Sequence, residues 1–332
     1  MSLPAIAYFL GGLVLLTLGA ELILRTATRM AALLGISPLV IGLTVVSVGT
    51  SMPELAVGLA AVAEGRGALA VGNIAGTNIL NILFILGLSA WIRPLPLQRL
   101  SISLDAPAMV ASALVLVLMA ADGMLTRPEG VMLLGGAVLY TVAVARMNRR
   151  EYRLAGQALA AEAGVEVAAE DGPARPQSPA TAAWNIALLL VGMALTVKGA
   201  DLLVVGAVEI ARLYGVSDAV IGLTIVAMGT SAPELATTLV ATFKGDRDVA
   251  VGNLIGSSIY NILVILGATC LAAPGGIEVS REILLIDLPL AAVVALVCVP
   301  VFRSGRLVSR REGGMFVACY LLYLATLLFL RT

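Results

Sequence analysis

Two glutamates stand out in this sequence because each lies in a long apolar stretch and inside the same short motif. Glu54 belongs to Gly-Thr-Ser-Met-Pro-Glu-Leu and Glu234 to Gly-Thr-Ser-Ala-Pro-Glu-Leu. Neither stretch, 36–63 or 216–242, contains a lysine or arginine. An ionised carboxylate at membrane depth costs at least about 2.5 kcal/mol unless it is paired or faces a polar cavity. Together the carboxylates would form a site of formal charge −2, which suits one divalent cation or more than one monovalent cation.

Further oxygen ligands accompany each glutamate on the same turn. The hydroxyl residues of the two motifs are Thr50, Ser51, Thr230 and Ser231. Pro53 has no N–H to donate to the carbonyl of Gly49, and Pro233 leaves Gly229 free in the same way. We therefore expect a broken helix at each motif, with carbonyls that can coordinate a cation. Such oxygen ligands suit Ca²⁺ and Na⁺ and do not suit soft metals.

A second pair of polar segments follows the two motifs. These segments are Gly-Asn-Ile-Ala-Gly-Thr-Asn-Ile-Leu-Asn at 72–81 and Gly-Asn-Leu-Ile-Gly-Ser-Ser-Ile-Tyr-Asn at 252–261. In each segment a hydroxyl residue and an asparagine lie four positions apart, on one face of a helix. These residues are Thr77 with Asn81, and Ser257 with Asn261. From the residues alone they either contact a cation or only hydrogen-bond between helices, while the glycines favour close helix packing.

The elements that carry these motifs belong to an internal repeat. Residues 36–87 align without a gap on 216–267, and 29 of 52 positions are identical. The sequence predicts ten membrane spans, at 4–24, 36–63, 68–91, 104–121, 130–146, 183–205, 216–242, 249–272, 283–302 and 314–330. Each copy thus has five spans, and an odd number inverts the second copy in the membrane. Inverted repeats that meet at a midplane site are typical of secondary transporters.

Composition agrees with an all-α membrane protein of ten transmembrane helices in two inverted five-helix repeats. Hydrophobic residues make up 60% of the 332 residues, charged residues 13%, and the mean hydropathy is +1.01. We divide the chain into a first repeat at 1–146, a cytoplasmic linker at 147–182 and a second repeat at 183–332. Fifteen Lys and Arg residues then fall on one side of the membrane and five on the other. Because basic residues near span ends prefer the cytoplasm, the side with fifteen is the inner one and both termini lie outside.

Several classes of function are disfavoured by composition. The 21 basic residues balance 21 acidic residues, so no basic surface for nucleic acid is indicated. The sequence has no histidine, which excludes Ser-His catalysis and His-ligated metals, and no nucleophile paired with a base is visible. We therefore predict that the protein is not an enzyme and needs no cofactor. The lipid bilayer is the expected partner, and no obligatory protein partner is evident.

Other charged residues in the spans receive structural interpretations. Glu21 precedes Arg25 by four residues and Asp201 follows Lys198 by three, so local ion pairs are predicted. Asp105 and Asp287 each stand two residues before a proline, a pattern that predicts helix N-caps. The cysteines, Cys270, Cys298 and Cys319, have no spacing typical of a metal site or a disulfide frame, and they are interpreted as packing residues.

The paired motifs resemble the alpha repeats of the cation/Ca²⁺ exchanger superfamily, and within it those of prokaryotic sodium/calcium exchangers. The resemblance implies that Glu54 and Glu234 ligate Ca²⁺ and alternately Na⁺, helped by the four motif hydroxyls. It also implies Na⁺ sites at Thr77 and Ser257, a central position for Asn81 and Asn261, and ligand carbonyls near Ser47 and Ala227. The implied location is the plasma (inner) membrane of a prokaryote. Asparagine at both 81 and 261, where some relatives carry aspartate, makes coupling to K⁺ less favoured.

The mechanism implied is Na⁺/Ca²⁺ antiport by alternating access, with Ca²⁺ and Na⁺ as transported ions. A proton/Ca²⁺ exchanger would use the same glutamates as proton carriers and stays an alternative. A cation channel is less favoured because it would need a continuous polar path rather than two occluding carboxylates. A Na⁺ gradient imposed without a pH gradient separates the first two, and acceleration by Na⁺ on the opposite side separates the Na⁺/Ca²⁺ exchanger from a channel.

Overall fold

The structure is a computed structural model that describes residues 3–34, 36–162, 179–216 and 218–331. In these ranges nearly all of the backbone is helical. We number the helical rods in chain order: α1 Leu3–Leu34, α2 Pro38–Ala63, α3 Gly67–Ile92, α4 Ser101–Asp122, α5 Arg127–Glu162, α6 Pro179–Leu213, α7 218–244, α8 Arg247–Ala272, α9 Ile283–Arg303 and α10 Arg310–Arg331. Rod α7 consists of Asp218–Ile221, Gly222–Val226, Ala227–Gly229 and Ala232–Lys244.

Eight helices in the described ranges are long and apolar enough to cross a membrane. They are α1 to α6, α8 and α9. The predicted spans 216–242 and 314–330 fall on α7 and α10, which are helical but are not among these eight. A mostly helical membrane protein is therefore confirmed, and the count of ten spans stays a prediction.

The local structure repeats along the chain as the sequence does. Six rods contain a π-helical segment, in which the hydrogen bonds span five residues instead of four. These segments are Gly42–Val46, Leu80–Leu86 and Ser101–Asp105, followed by Gly222–Val226, Asn261–Leu266 and Ile283–Asp287. The two sets begin 180 to 182 residues apart. Such segments occur often at functional sites, and here two of them lie directly before the glutamate motifs.

Rods α3 and α8 lie at the centre of the main hydrophobic core. In α8, every residue from Val249 to Tyr260 is buried, and α8 packs against the first part of α2. Gly252 makes this contact possible, because a Cβ there would lie 2.6 Å from the carbonyl oxygen of Leu39. Outside this core, α1 and α6 cross each other, and at the crossing glycines of each helix contact the backbone of the other. A Cβ on Gly12 would lie 2.7 Å from the carbonyl oxygen of Gly199.

Two short antiparallel ladders connect loops of the two halves. Strand β1, Leu95–Pro96, pairs with β4, Leu307–Val308. Strand β2, Met124–Leu125, pairs with β3, Ile277–Glu278. Each ladder thus joins a loop of the first half to a loop of the second.

The prediction that Asp105 and Asp287 cap helices is wrong. Both residues have helical backbone angles and make no cap hydrogen bond, because a π-helical segment extends each rod upstream of the aspartate. Both side chains are buried. The hydroxyl of Tyr140 donates to Asp105 Oδ1 at 3.0 Å, and that of Tyr323 donates to Asp287 Oδ1 at 3.5 Å. The two aspartates therefore join helices inside the bundle rather than terminate them.

The predicted local ion pairs are confirmed. Arg25 pairs with Glu21, and Lys198 Nζ lies 3.8 Å from Asp201 Oδ2. The structure adds a longer-range pair, in which Lys244 Nζ lies 2.8 Å from Glu21 Oε1 and ties α1 to the end of α7. Of the predicted linker, residues 147–162 continue α5 and residues 163–178 lie outside the described ranges.

The cysteines agree only partly with a packing role. Cys270 and Cys298 are buried and Cys319 is exposed.

Candidate cation-binding site

Both glutamate motifs interrupt their helices, as the prolines predict. In α2 the helix stops after Thr50 and resumes at Met52, and in α7 it stops after Gly229 and resumes at Ala232. The intervening serines have similar backbone angles, with φ −84° and ψ 9° at Ser51 and φ −88° and ψ 5° at Ser231. Each glutamate consequently lies in the first turn of a new helical segment, where backbone N–H groups favour negative charge.

The two motifs meet through reciprocal contacts. The hydroxyl of Ser51 donates to Glu234 Oε1 at 3.2 Å, and the hydroxyl of Ser231 lies 3.5 Å from Glu54 Oε1. Each serine therefore contacts the carboxylate of the other motif. The two motifs therefore form one cluster in the folded chain.

Both glutamates are fully buried, with side chains that have no exposed surface. In each, Oε2 has no hydrogen-bond partner among the described residues. No ion pair with a lysine or arginine of the described ranges reaches either glutamate. Burying a carboxylate oxygen without a partner carries a large desolvation penalty, which a bound cation or proton removes.

The hydroxyls predicted on α3 and α8 contact different residues of the two motif-bearing helices. Thr77 Oγ1 lies 3.4 Å from the hydroxyl of Ser231, which also contacts Glu54. Ser257 donates to the backbone carbonyl of Ser47 at 3.5 Å. The structure therefore brings Thr77 beside the glutamate of α2 and brings Ser257 beside the carbonyl predicted near Ser47.

The central asparagines are buried but are not hydrogen-bonded to the glutamates. Neither amide atom of Asn81 has a hydrogen-bond partner in the described part of the chain. Asn261 Nδ2 donates to Asn78 Oδ1 at 3.2 Å, and its own Oδ1 has no such partner. Two amide oxygens are therefore available in the same buried region.

The remaining predicted positions are less well connected. Thr50 is buried and donates to Asn253 Oδ1 at 3.2 Å, while Thr230 is half-buried and its Oγ1 has no hydrogen-bond partner among the described residues. Ala227 begins the short helical segment before the break in α7, and no described contact joins its carbonyl to the glutamates. Its role as a ligand stays a prediction.

Asn253 and Asn78 have roles that sequence reasoning missed. Asn253 Nδ2 donates to Thr238 Oγ1 at 3.3 Å, and its backbone carbonyl accepts from Ser47 Oγ at 2.9 Å. Asn78 Nδ2 donates to the carbonyl of Ser258 at 2.9 Å. For Asn253 the available signal is the Gly-Asn pair that opens each second segment, of which only the glycine predicts close helix packing.

The donor set fits hard cations. The described residues contain no group of three or more His, Cys, Asp or Glu that could hold a metal ion. What they offer instead are two carboxylates surrounded by hydroxyl, amide and carbonyl oxygens. This combination suits Ca²⁺ or Na⁺ and does not suit a transition metal.

A cavity of about 110 Å³ reaches one side of the cluster. Rods α3 and α10 line it, and Thr77 is among its lining residues. Asn73, Gly76 and Leu327 also line this cavity. Thr77 therefore borders both this cavity and Ser231, whose hydroxyl lies 3.4 Å from Thr77 Oγ1.

Comparisons with known proteins match the full length of the chain. The sequence model of the family described as "Sodium/calcium exchanger protein" matches residues 4–146 and 184–329. The putative antiporter CaxA of Alkalimonas amylolytica is 38% identical over 97% of this chain and 98% of its own length. Inner membrane protein YrbG of Escherichia coli (strain K12) is 35% identical over 99% and 98%. The sodium/calcium exchanger MaX1 of Methanosarcina acetivorans is 29% identical over 96% and 97%.

Solved structures of a sodium-calcium exchanger, NCX_Mj, have a similar fold. The structure of NCX_Mj soaked with zero Na⁺ and Ca²⁺ aligns with a TM-score of 0.77 at 27% identity. The alignment covers 98% of this chain and 100% of that chain.

Proposed function

Because the chain belongs to the sodium/calcium exchanger protein family, we propose that it exchanges Na⁺ for Ca²⁺ across a membrane at the Glu54–Glu234 site. Family and fold support cation/Ca²⁺ antiport. The observation that carries the assignment of the site is the reciprocal contact of each motif serine with the glutamate of the other motif. It brings two buried carboxylates into one oxygen-rich cluster, and a charge of −2 matches one Ca²⁺ or two or more Na⁺.

In this proposal the ligands are divided between the two motifs and the two polar segments. Glu54 and Glu234 bind Ca²⁺ and alternately Na⁺. The remaining oxygen donors are the hydroxyls of Thr50, Ser51, Thr230, Ser231, Thr77 and Ser257, the amides of Asn81 and Asn261, and the carbonyls near Ser47 and Ala227. Ca²⁺ and Na⁺ then compete for overlapping oxygens, which couples the movement of one ion to the other.

Exchange rather than leak follows from the charge of the site. An empty cluster of charge −2 is costly to move through a low-dielectric barrier, so the site crosses efficiently only when it is loaded. We propose that ten helices in two inverted repeats, 1–146 and 183–332, carry out this alternation, with the linker 147–182 in the cytoplasm and both termini outside. Helices α1 and α6 slide against the core that holds the motifs.

Na⁺ is preferred over protons as the coupling ion because hydroxyls surround the carboxylates. Four motif hydroxyls provide neutral oxygen ligands for Na⁺. A carboxylate that carries only a proton needs no such ligands. A proton/Ca²⁺ exchanger is the second candidate, because the buried Oε2 atoms without partners could also take up protons. The two asparagines at 81 and 261 keep the charge at −2 and disfavour coupling to K⁺.

Transport in reconstituted liposomes tests this proposal. Purified protein should take up ⁴⁵Ca²⁺ when an outward Na⁺ gradient is imposed, without a pH gradient and without K⁺. Glu54→Gln should abolish this uptake because it removes one charge of the site. Glu64→Gln is the matched control, since Glu64 is exposed at the end of α2 and pairs with Arg66.

Two results would contradict the proposal. Uptake that responds to a pH gradient and not to Na⁺ would establish the proton-coupled alternative. Uptake by Glu54→Gln at the parental rate would show that the site lies elsewhere.

A further inference from the structure

Equivalent glycines and asparagines of α3 and α8 are used differently in the two halves of the structure. In α8, a Cβ on Gly256 would collide with the carbonyl oxygen of Leu43, so α8 rests directly on the first part of α2. In α3, a Cβ on Gly76, the equivalent of Gly256, would have no described atom within 4 Å. Glycine is a poor helix former and is retained in a helix where close approach requires it. The structure shows that requirement for α8 and not for Gly76.

The asparagines differ in the same sense. Asn253 is fully buried and connects α8 to α2 and α7 through Thr50 at 3.2 Å and Thr238 at 3.3 Å. Asn73 holds the equivalent place in the repeat, yet its Nδ2 is buried without a hydrogen-bond partner in the described ranges. It lies instead in the wall of the 110 Å³ cavity beside Thr77.

Two further positions show the same asymmetry. Val144 and Leu327 each follow, by four residues, the tyrosine that bonds a buried aspartate. Val144 on α5 is fully buried, and Leu327 on α10 lines the cavity. One face of the bundle is therefore packed shut at Asn253, and the equivalent face is open at Asn73.

We propose that Asn253 and Asn73 are alternating latches that hold opposite faces of the exchanger closed. In the conformation seen here, Asn253 holds its face closed. When the faces exchange roles, the first part of α7 packs against α3, where its backbone meets Gly76 and Thr230 donates to Asn73 as Thr50 now donates to Asn253. This inference rests on the alternating-access part of the proposed function. Both asparagines are positioning residues that act through helix contacts.

The two latches are not equal. Asn253 also binds Thr238, whereas the equivalent position on α2 is Gly58, which has no hydroxyl. The Asn253 latch thus has one side-chain hydrogen bond for which the other half has no counterpart. This difference biases the chain towards the conformation seen here.

Thiol labelling of single reporters on the two faces tests the latches. The background is Cys319→Ser, because Cys319 is exposed while the other two cysteines are buried. Val144→Cys reports opening of the face that is closed here, and Leu327→Cys reports opening of the other. Purified protein in nanodiscs without transported ions is treated with a hydrophilic maleimide, and the labelling rates are compared.

Removing each latch should shift the reporters in opposite directions. Asn253→Ala should speed labelling at Val144→Cys and slow it at Leu327→Cys, by about fivefold in the equilibrium for each hydrogen bond lost. Asn73→Ala, the matched variant, should slow labelling at Val144→Cys. Thr238→Val should act like a weaker Asn253→Ala, and it carries the test if Asn253→Ala does not fold.

Reporters that respond alike to both asparagine variants, or that do not respond to Thr238→Val, would overturn the latch. Labelling requires no ion, so its result is independent of the ⁴⁵Ca²⁺ experiment. Opposite shifts in a protein that fails to exchange Na⁺ for Ca²⁺ would support the latch and contradict the proposed function. Exchange driven by Na⁺ in a protein whose reporters do not respond would support the proposed function and contradict the latch.

Discussion

Ser51 and Ser231 illustrate how the repeat creates a site from two separate motifs. Each hydroxyl lies in a helix break and contacts the glutamate of the other motif, so neither half contains the complete cluster. A serine hydroxyl in such a place can ligate the ion and also orient the carboxylate. The loss of one hydroxyl should therefore weaken cation binding without removing a charge.

We expect Ser51→Ala to raise the KM for Ca²⁺ about tenfold, because a hydrogen bond to a charged group contributes about 1.5–3 kcal/mol. The measurement is the Ca²⁺ dependence of Na⁺-driven ⁴⁵Ca²⁺ uptake. Ser103→Ala is the control, since that hydroxyl bonds only to the carbonyl of Arg99 among the described residues. An unchanged KM in Ser51→Ala would contradict a role of this hydroxyl at the site.

At the scale of helices, the packing of glycines predicts different outcomes for one substitution at two places. Gly252→Ala would push a methyl group into the backbone of α2, and overpacking of this kind costs about 1–3 kcal/mol. At Gly76 an added Cβ has no described atom within 4 Å, so Gly76→Ala should leave the stability unchanged or raise it by up to about 1 kcal/mol. Thermal unfolding in detergent compares the two.

Transport should separate the stability of Gly76→Ala from its function. The methyl group obstructs close approach of α3 to α7, so Gly76→Ala should be stable but slow in exchange. Gly135→Ala on α5 provides the control, since a Cβ there also has no atom within 4 Å. Parental exchange rates in Gly76→Ala would show that α3 does not need to pack against α7.

For the molecule as a whole, its two halves differ in charge as well as in packing. Lys244 pairs with Glu21 across α7 and α1. The equivalent positions in the repeat are Glu64 and Asp201, which carry like charges. An ion pair therefore supports only the conformation seen here.

We expect Lys244→Gln to increase opening of the closed face, measured as labelling of Val144→Cys. The pair is partly exposed, so the change in the equilibrium should not exceed about fivefold, the equivalent of 1 kcal/mol. High salt should produce the same increase in labelling, because it screens the ion pair: the Debye length falls from about 10 Å at 0.1 M to about 3 Å at 1 M. Lys198→Gln is the control, since its partner lies on the same helix. An equal effect of both substitutions would contradict this role.

The sequence predicts the cluster well and the state of the molecule poorly. Helix breaks at Pro53 and Pro233 follow from local chemistry, so they could be read from the motifs. The role of Asp105 could not, because it depends on a π-helical segment that extends the rod before it. Asn253 and Asn73 each follow Ala-Val-Gly, and only tertiary packing decides which amide donates a hydrogen bond within the described residues.

The two β ladders have a consequence for how the chain can be assembled. Each ladder joins a loop of the first half to a loop of the second, and the serine-glutamate contacts join the halves again at the centre. Covalent continuity between α5 and α6 is then not needed to hold the halves together. Residues 1–162 and 179–332, coexpressed from separate genes with a tag on one fragment only, should copurify as a stoichiometric pair. Recovery of the tagged fragment alone would show that assembly depends on the connection.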